Sequence, residues 1–150
     1  MPSAKRNWFA DTNLLVYAAD PTEVVKRRIA RDWMTTIVGA NRLVLSPQSL
    51  NECYRVLTER RRMTSRDRVR RYIQALSSFC TAPAGVDVIR RAWHIQDIGE
   101  FGWWDCLILS SALLAECDVF LSEDMQHERT IDGMTILNPF KLGQPADHIF

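Results

Sequence analysis

Phe9 to Asp20 read FADTNLLVYAAD, a short apolar run that stops on a carboxylate, passes through Thr12-Asn13, and resumes as a second apolar run. Trp8-Phe9-Ala10 suits a buried strand ending at Asp11, and Leu14 to Ala19 a brief helix. A carboxylate at that junction either caps the helix, since Asp is a preferred N-cap, or holds something charged. The rest of the chain bears on which.

Downstream, strands and helices alternate. Asp20-Pro21 has the form of a cap and first-turn proline for a helix from Thr22 to about Val38, stopped by Gly39. Leu43-Val44-Leu45 reads as a second strand, and Ser46-Pro47 opens another helix. There Leu50, Cys53, Tyr54 and Leu57 fall on one face, and the arginines at 60 to 62 close the helix on the favourable side of its dipole. Thr64 with Asp67 resembles a capping box for a helix buried through Val69, Tyr72, Ile73 and Leu76. Cys80 to Gly85 connects to a helix from Val86 to about Ile98. After the aromatic break Phe101-Gly102-Trp103-Trp104, Asp105 to Glu116 is almost wholly apolar or small and reads as a buried helix. Val119 to Leu121 and Ile136-Leu137 complete the strands. Such alternation predicts an α/β sandwich in three layers, a central parallel sheet with helices on both faces. No repeat or linker divides the chain, so a single domain over 1–150 is expected.

The chain has 150 residues, nearly half of them apolar, and a net charge of +1. That suffices for one core without disulfides or structural metal. No apolar stretch is long enough to span a membrane, and the N-terminal residues lack the apolar core of a signal peptide; a cytoplasmic protein is expected. The four cysteines form no C-x-x-C pair and read as reduced core thiols. The three histidines match no zinc spacing. Charge is uneven: from Arg55 to Arg71 there are eight arginines and two acidic residues, and Lys26-Arg27-Arg28 with Arg31 form a second basic cluster. Arginine forks suit phosphate oxygens, although taken alone such runs are more simply a solvated helix face.

In open parallel sheets, ligands bind beyond the carboxyl ends of the strands. Asp11 ends the first strand, Asp124 follows the strand through Leu121, Glu52 lies in the second turn of the helix after the second strand, and Asp105 starts the buried helix. All four fall at one edge. Taken singly each has a plain role, as a cap, a solvated residue or a dipole partner. Taken together, two carboxylates about 4 Å apart repel by about 4 kcal/mol at an effective dielectric near 20, so a cluster needs a cation or must take up protons. An all-oxygen set suits Mg²⁺ or Mn²⁺, ions that bridge phosphate oxygens and lower the pKa of water. Asn13 and Ser122 are placed to orient Asp11 and Asp124, or to cap locally.

FADTNLLVYAAD, SPQSLNECYRVL, WWDCLILSSALLAECDVFLSEDMQH and ILNPF, in that order, resemble the motifs of PIN-domain ribonucleases, most of all the VapC toxins of prokaryotic toxin–antitoxin pairs. The resemblance implies a PIN-like fold and an acidic metal site at Asp11, Glu52, Asp105 and Asp124, with Asn13 and Ser122 in support. It also implies RNA cleavage with Mg²⁺ or Mn²⁺ to a 5′-phosphate and a 3′-hydroxyl, a homodimer, and silencing by a small VapB-type antitoxin. The chain departs from many relatives in carrying Glu128-Arg129 where Gly follows the QH pair; His127 is therefore expected to be structural or solvated. Glu123 and Asp118 add negative charge near the site; either could assist a metal, but both are expected to face solvent.

Three other readings stay open: a related metal-dependent DNA nuclease, a non-catalytic module that binds RNA or a partner, and a metal-free ribonuclease using imidazoles. The last is disfavoured because no histidine lies at a motif with the carboxylates. An aspartyl-phosphate phosphatase is disfavoured as well, since position 13 is Asn where that chemistry usually has a second Asp.

Overall fold

The computed structural model describes residues 6–61 and 65–149. Five strands form one sheet: β1 Asn7–Ala10, β2 Leu43–Val44, β3 Cys117–Leu121, β4 Thr130–Ile131 and β5 Met134–Leu137, in the order β2-β1-β3-β5-β4. β1 runs parallel to both β2 and β3, and β3 parallel to β5. Because successive side chains in a strand point to opposite faces, β1 feeds two cores. Trp8 and Ala10 pack with α1 (Thr12–Ala19), α2 (Val24–Gly39), α3 (Pro47–Arg55) and α4 (Arg66–Leu76). Phe9 packs with α5 (Val86–Ile98) and α6 (Trp103–Leu114). The Trp8 ring stacks on Trp33 at 5.8 Å on the first face, and Phe9 stacks on Phe120 at 5.0 Å on the second. The three-layer sandwich expected from the alternation of elements is the observed architecture. A short helix, α7 (Ala146–Ile149), ends the described chain.

The structure corrects several local expectations. The sheet is not wholly parallel, because β4 pairs antiparallel with β5. Their turn, Asp132-Gly133, has positive φ at both residues (47° and 88°), the conformation for which Asp-Gly is preferred in two-residue hairpins. The helix expected from Thr22 begins instead at Val24, and no side chain caps it. Asp20 turns back on Thr22, accepting from its N–H at 2.9 Å and its Oγ1 at 2.6 Å, and pairs with Arg61. That closes a turn rather than starting a helix. The buried helix begins at Trp103 and ends at Leu114, which puts Asp105 within its first turn.

Ser46 forms the cap that Ser46-Pro47 foretells: its Oγ accepts from Ser49 N–H, and Ser49 Oγ accepts from Ser46 N–H at 3.1 Å. Thr64, the expected first residue of a capping box, lies outside the described residues, and Ser65 caps α4 through Arg68 N–H. α3 runs into a π turn over Val56–Arg60 that the apolar spacing did not announce. All four cysteines are free, and burial pushes the thiols of Cys53 and Cys117 up to about 12. No helix among the described residues is long and apolar enough to cross a membrane.

Candidate active site

The site grows out of the register of β1 and β3. Ala10 lies beside Leu121, and Asp11 N–H donates to Leu121 O at 2.9 Å. The two strands therefore release Asp11 and Ser122 side by side, and Ser122 Oγ donates to Asp11 Oδ2 at 2.8 Å. Asp11 Oδ1 accepts from Thr12 N–H at 2.7 Å, so the same carboxylate caps α1. Capping and site placement are compatible here because the two carboxylate oxygens divide the tasks. Asp124 follows two residues after Ser122, its N–H donating to Ser122 Oγ at 3.3 Å, while Asn13 Nδ2 donates to Asp124 Oδ2 at 3.0 Å.

Glu52 arrives from α3. Thr12 Oγ1 donates to its Oε2 at 3.1 Å and Gln48 Nε2 to its Oε1 at 3.3 Å. Gln48 Nε2 also donates to the Trp104 carbonyl at 3.0 Å, which fastens α3 to the first turn of α6, next to Asp105. Thr12 and Gln48 were not anticipated from sequence. Gln48 stands four residues before Glu52, the helical spacing at which side chains meet, whereas the Thr12 contact depends on how α1 packs against α3.

Asp11, Glu52, Asp105 and Asp124 line one cavity of about 310 Å³. Burial pushes the Asp11 carboxyl up to about 7 against the opposing bonds from Ser122 and Thr12, and the charges of Asp105 and Asp124 raise it further. Asp105 is raised by burial, then by Glu52 and Asp124. Asp11 thus feels Asp105 and Asp124, and Asp105 feels Glu52 and Asp124. Among the described residues no three His, Cys, Asp or Glu side chains already stand close enough together to hold an ion; the carboxylates share a cavity but not a ready ligand sphere. Their chemistry fits a hard cation nonetheless. The donors are all carboxylates, an oxygen that accepts one hydrogen bond keeps a further lone pair, and the mutual repulsion is what a cation would relieve.

The neighbouring polar residues are placed as follows. Glu123 is not free in solvent but pairs with Lys26 at 2.5 Å, and Lys26 Nζ also donates to Tyr17 OH at 3.2 Å. Asp118, exposed, sits near the start of β3 rather than at the cavity edge. His127 Nδ1 accepts from Asn138 N–H at 2.9 Å, tying the loop after β3 to the end of β5. Glu128 has φ of 69°. The turn keeps a left-handed residue there although it carries a side chain. Two of the arginines, Arg60 and Arg61, reach the carboxylate cavity.

The PIN domain family model matches residues 9–132, and the chain belongs to that family. No curated protein matches it in sequence. Among solved structures it is similar to a toxin–antitoxin complex from Klebsiella pneumoniae, with 18% identity, a TM-score of 0.63, and coverage of 91% of this chain and 100% of that one. VapBC2 from Rickettsia felis, bound to a DNA fragment of its promoter, gives 14% identity and a TM-score of 0.61 over 87% of this chain and 97% of that one. VapC20 of Mycobacterium tuberculosis, a toxin that cleaves the sarcin-ricin loop, gives 18% identity and a TM-score of 0.52 over 79% and 92%. At these identities the likeness is one of fold.

Proposed function

We propose that this chain, as a single PIN domain over 1–150, is a metal-dependent endoribonuclease and the toxin of a toxin–antitoxin pair. The observation that carries the reading is the gathering of Asp11, Glu52, Asp105 and Asp124 on one cavity, with Asp11 pushed up to about 7. Those four carboxylates are the residues that would hold Mg²⁺ or Mn²⁺. Such an ion supplies neutralisation of phosphate charge and a lowered pKa for water. The remaining work falls to the chain. Ser122 and Thr12 fix both oxygens of Asp11, Asn13 fixes Asp124, and Thr12 with Gln48 fixes Glu52. Hydrolysis of an RNA phosphodiester bond, leaving a 5′-phosphate and a 3′-hydroxyl, is the reaction assigned.

The toxin role and a VapB-type antitoxin are supported by the likeness to toxin–antitoxin complexes; a homodimer is carried over from the family resemblance, and a cytoplasmic location from the sequence reading. The test is incubation of the purified chain with single-stranded RNA, structured RNA and DNA, with Mg²⁺, with Mn²⁺, and with EDTA. The reading requires RNA cleavage that EDTA abolishes and that Asp11→Asn lacks. Cleavage of DNA alone would favour the related DNA nuclease; cleavage that survives EDTA would favour imidazole chemistry; binding of RNA without cleavage would favour a non-catalytic module.

A further inference from the structure

A cavity of carboxylates repels the polyanion it is to receive, and positive side chains at its edge would add to what a bound cation offsets. Among the described residues, three cationic side chains come near. Lys26 is engaged by Glu123 and Tyr17. Arg61 lines the cavity, but its guanidinium is held by Asp20, whose side chain is buried to 1% exposure. Arg60 also lines the cavity, is exposed, and has no ion pair among the described residues.

The π turn explains why two consecutive arginines can both face inward. Arg61 N–H donates to Val56 O at 3.0 Å, closing a turn of five residues, and Val56 itself lines the cavity. In an α-helix a residue five positions on points about 140° away from the first. The wider π turn brings it back toward the same side. Arg61 is thereby delivered to Asp20, while Arg60 lines the cavity with no ion pair among the described residues.

We propose that Arg60 is the substrate-positioning residue of this cavity, holding an RNA phosphate beside the carboxylates, with Arg61 serving to lock the turn that presents it. The assignment rests on the ribonuclease reading for its substrate. It adds a division of labour between adjacent arginines that differ in what already binds them: a guanidinium whose charge is offset by a buried carboxylate attracts a phosphate less than a fork without such a partner.

The experiment uses the full chain with a short single-stranded RNA. Binding is measured in EDTA by fluorescence anisotropy across a salt series, and cleavage with Mg²⁺ or Mn²⁺ added. Arg60→Ala should weaken binding about tenfold for every RNA sequence tried and reduce the salt slope by about 0.7, the loss of one phosphate contact to a single strand. It should raise KM with kcat little changed, melt close to the parent, and be partly rescued by Arg60→Lys. Arg61→Ala should instead lower the melting temperature. Unchanged binding and KM in Arg60→Ala, or an Arg60→Ala protein that melts early while Arg61→Ala does not, would overturn the assignment. If the parent binds RNA without cutting it, the ribonuclease reading fails while Arg60 is still judged by the binding arm. A parent that neither binds nor cuts RNA overturns both.

Discussion

Asp11 is buried at the meeting of two parallel strands, and its proton is the variable that links site to stability. Between 3.8, the ordinary value, and about 7, the folded chain holds this proton more firmly than the unfolded one. The stability from this group is therefore full below 3.8 and is lost as pH rises through about 7. Metal-free protein should melt higher at pH 5.5 than at pH 8, and Asp11→Asn should flatten that dependence while abolishing cleavage; differential scanning calorimetry across pH checks it. Activity at subsaturating metal should run the other way, rising with pH as the carboxylate becomes available to the cation. Ser122→Ala removes the donor that favours the ionised form, so it should cost about tenfold in metal affinity and move the acidic limb of the pH–rate profile upward. Glu128, at φ 69°, bears a side chain in a conformation that costs about 1 kcal/mol outside glycine. Glu128→Gly should raise stability by up to about 1 kcal/mol in urea unfolding without changing cleavage.

The elements that carry the four carboxylates were legible because each is marked by local chemistry. β1 is an apolar run ended by an acid, α3 is announced by Ser46-Pro47, and α6 is apolar almost throughout. What escaped was chemistry decided by distant partners. Asp20-Pro21 has the letters of a helix start, yet Thr22 and Arg61 claim its carboxylate first. β4 is two residues long, too short for alternation to show, and only Asp132-Gly133 betrays the hairpin. The π turn leaves no mark because a single wide turn in five residues breaks no period. Since α3 fixes Glu52, its cap matters to the site. Ser46→Ala should lower stability by about 1 kcal/mol and, by loosening the start of α3, raise the metal concentration needed for half-maximal cleavage.

Taken whole, the molecule hangs both cores on the same two strands, and those strands also end at Asp11 and Ser122. Phe120→Ala, which removes a fully buried ring stacked on Phe9, should therefore cost about 3–5 kcal/mol and lose fold and cleavage in a single denaturation transition, read by circular dichroism and RNA digestion on the same samples. The three-layer plan was readable from the chain; the pairing of charges across its helices was not, because it is set by which faces meet. The outermost strands, β2 and β4, have two residues each, and among the described residues the only pairing beyond them is the isolated bridge from Leu45 to Cys80. So little open ladder leaves an incoming peptide almost no main chain to zip onto. An extended peptide offered as a sixth strand should therefore find little purchase.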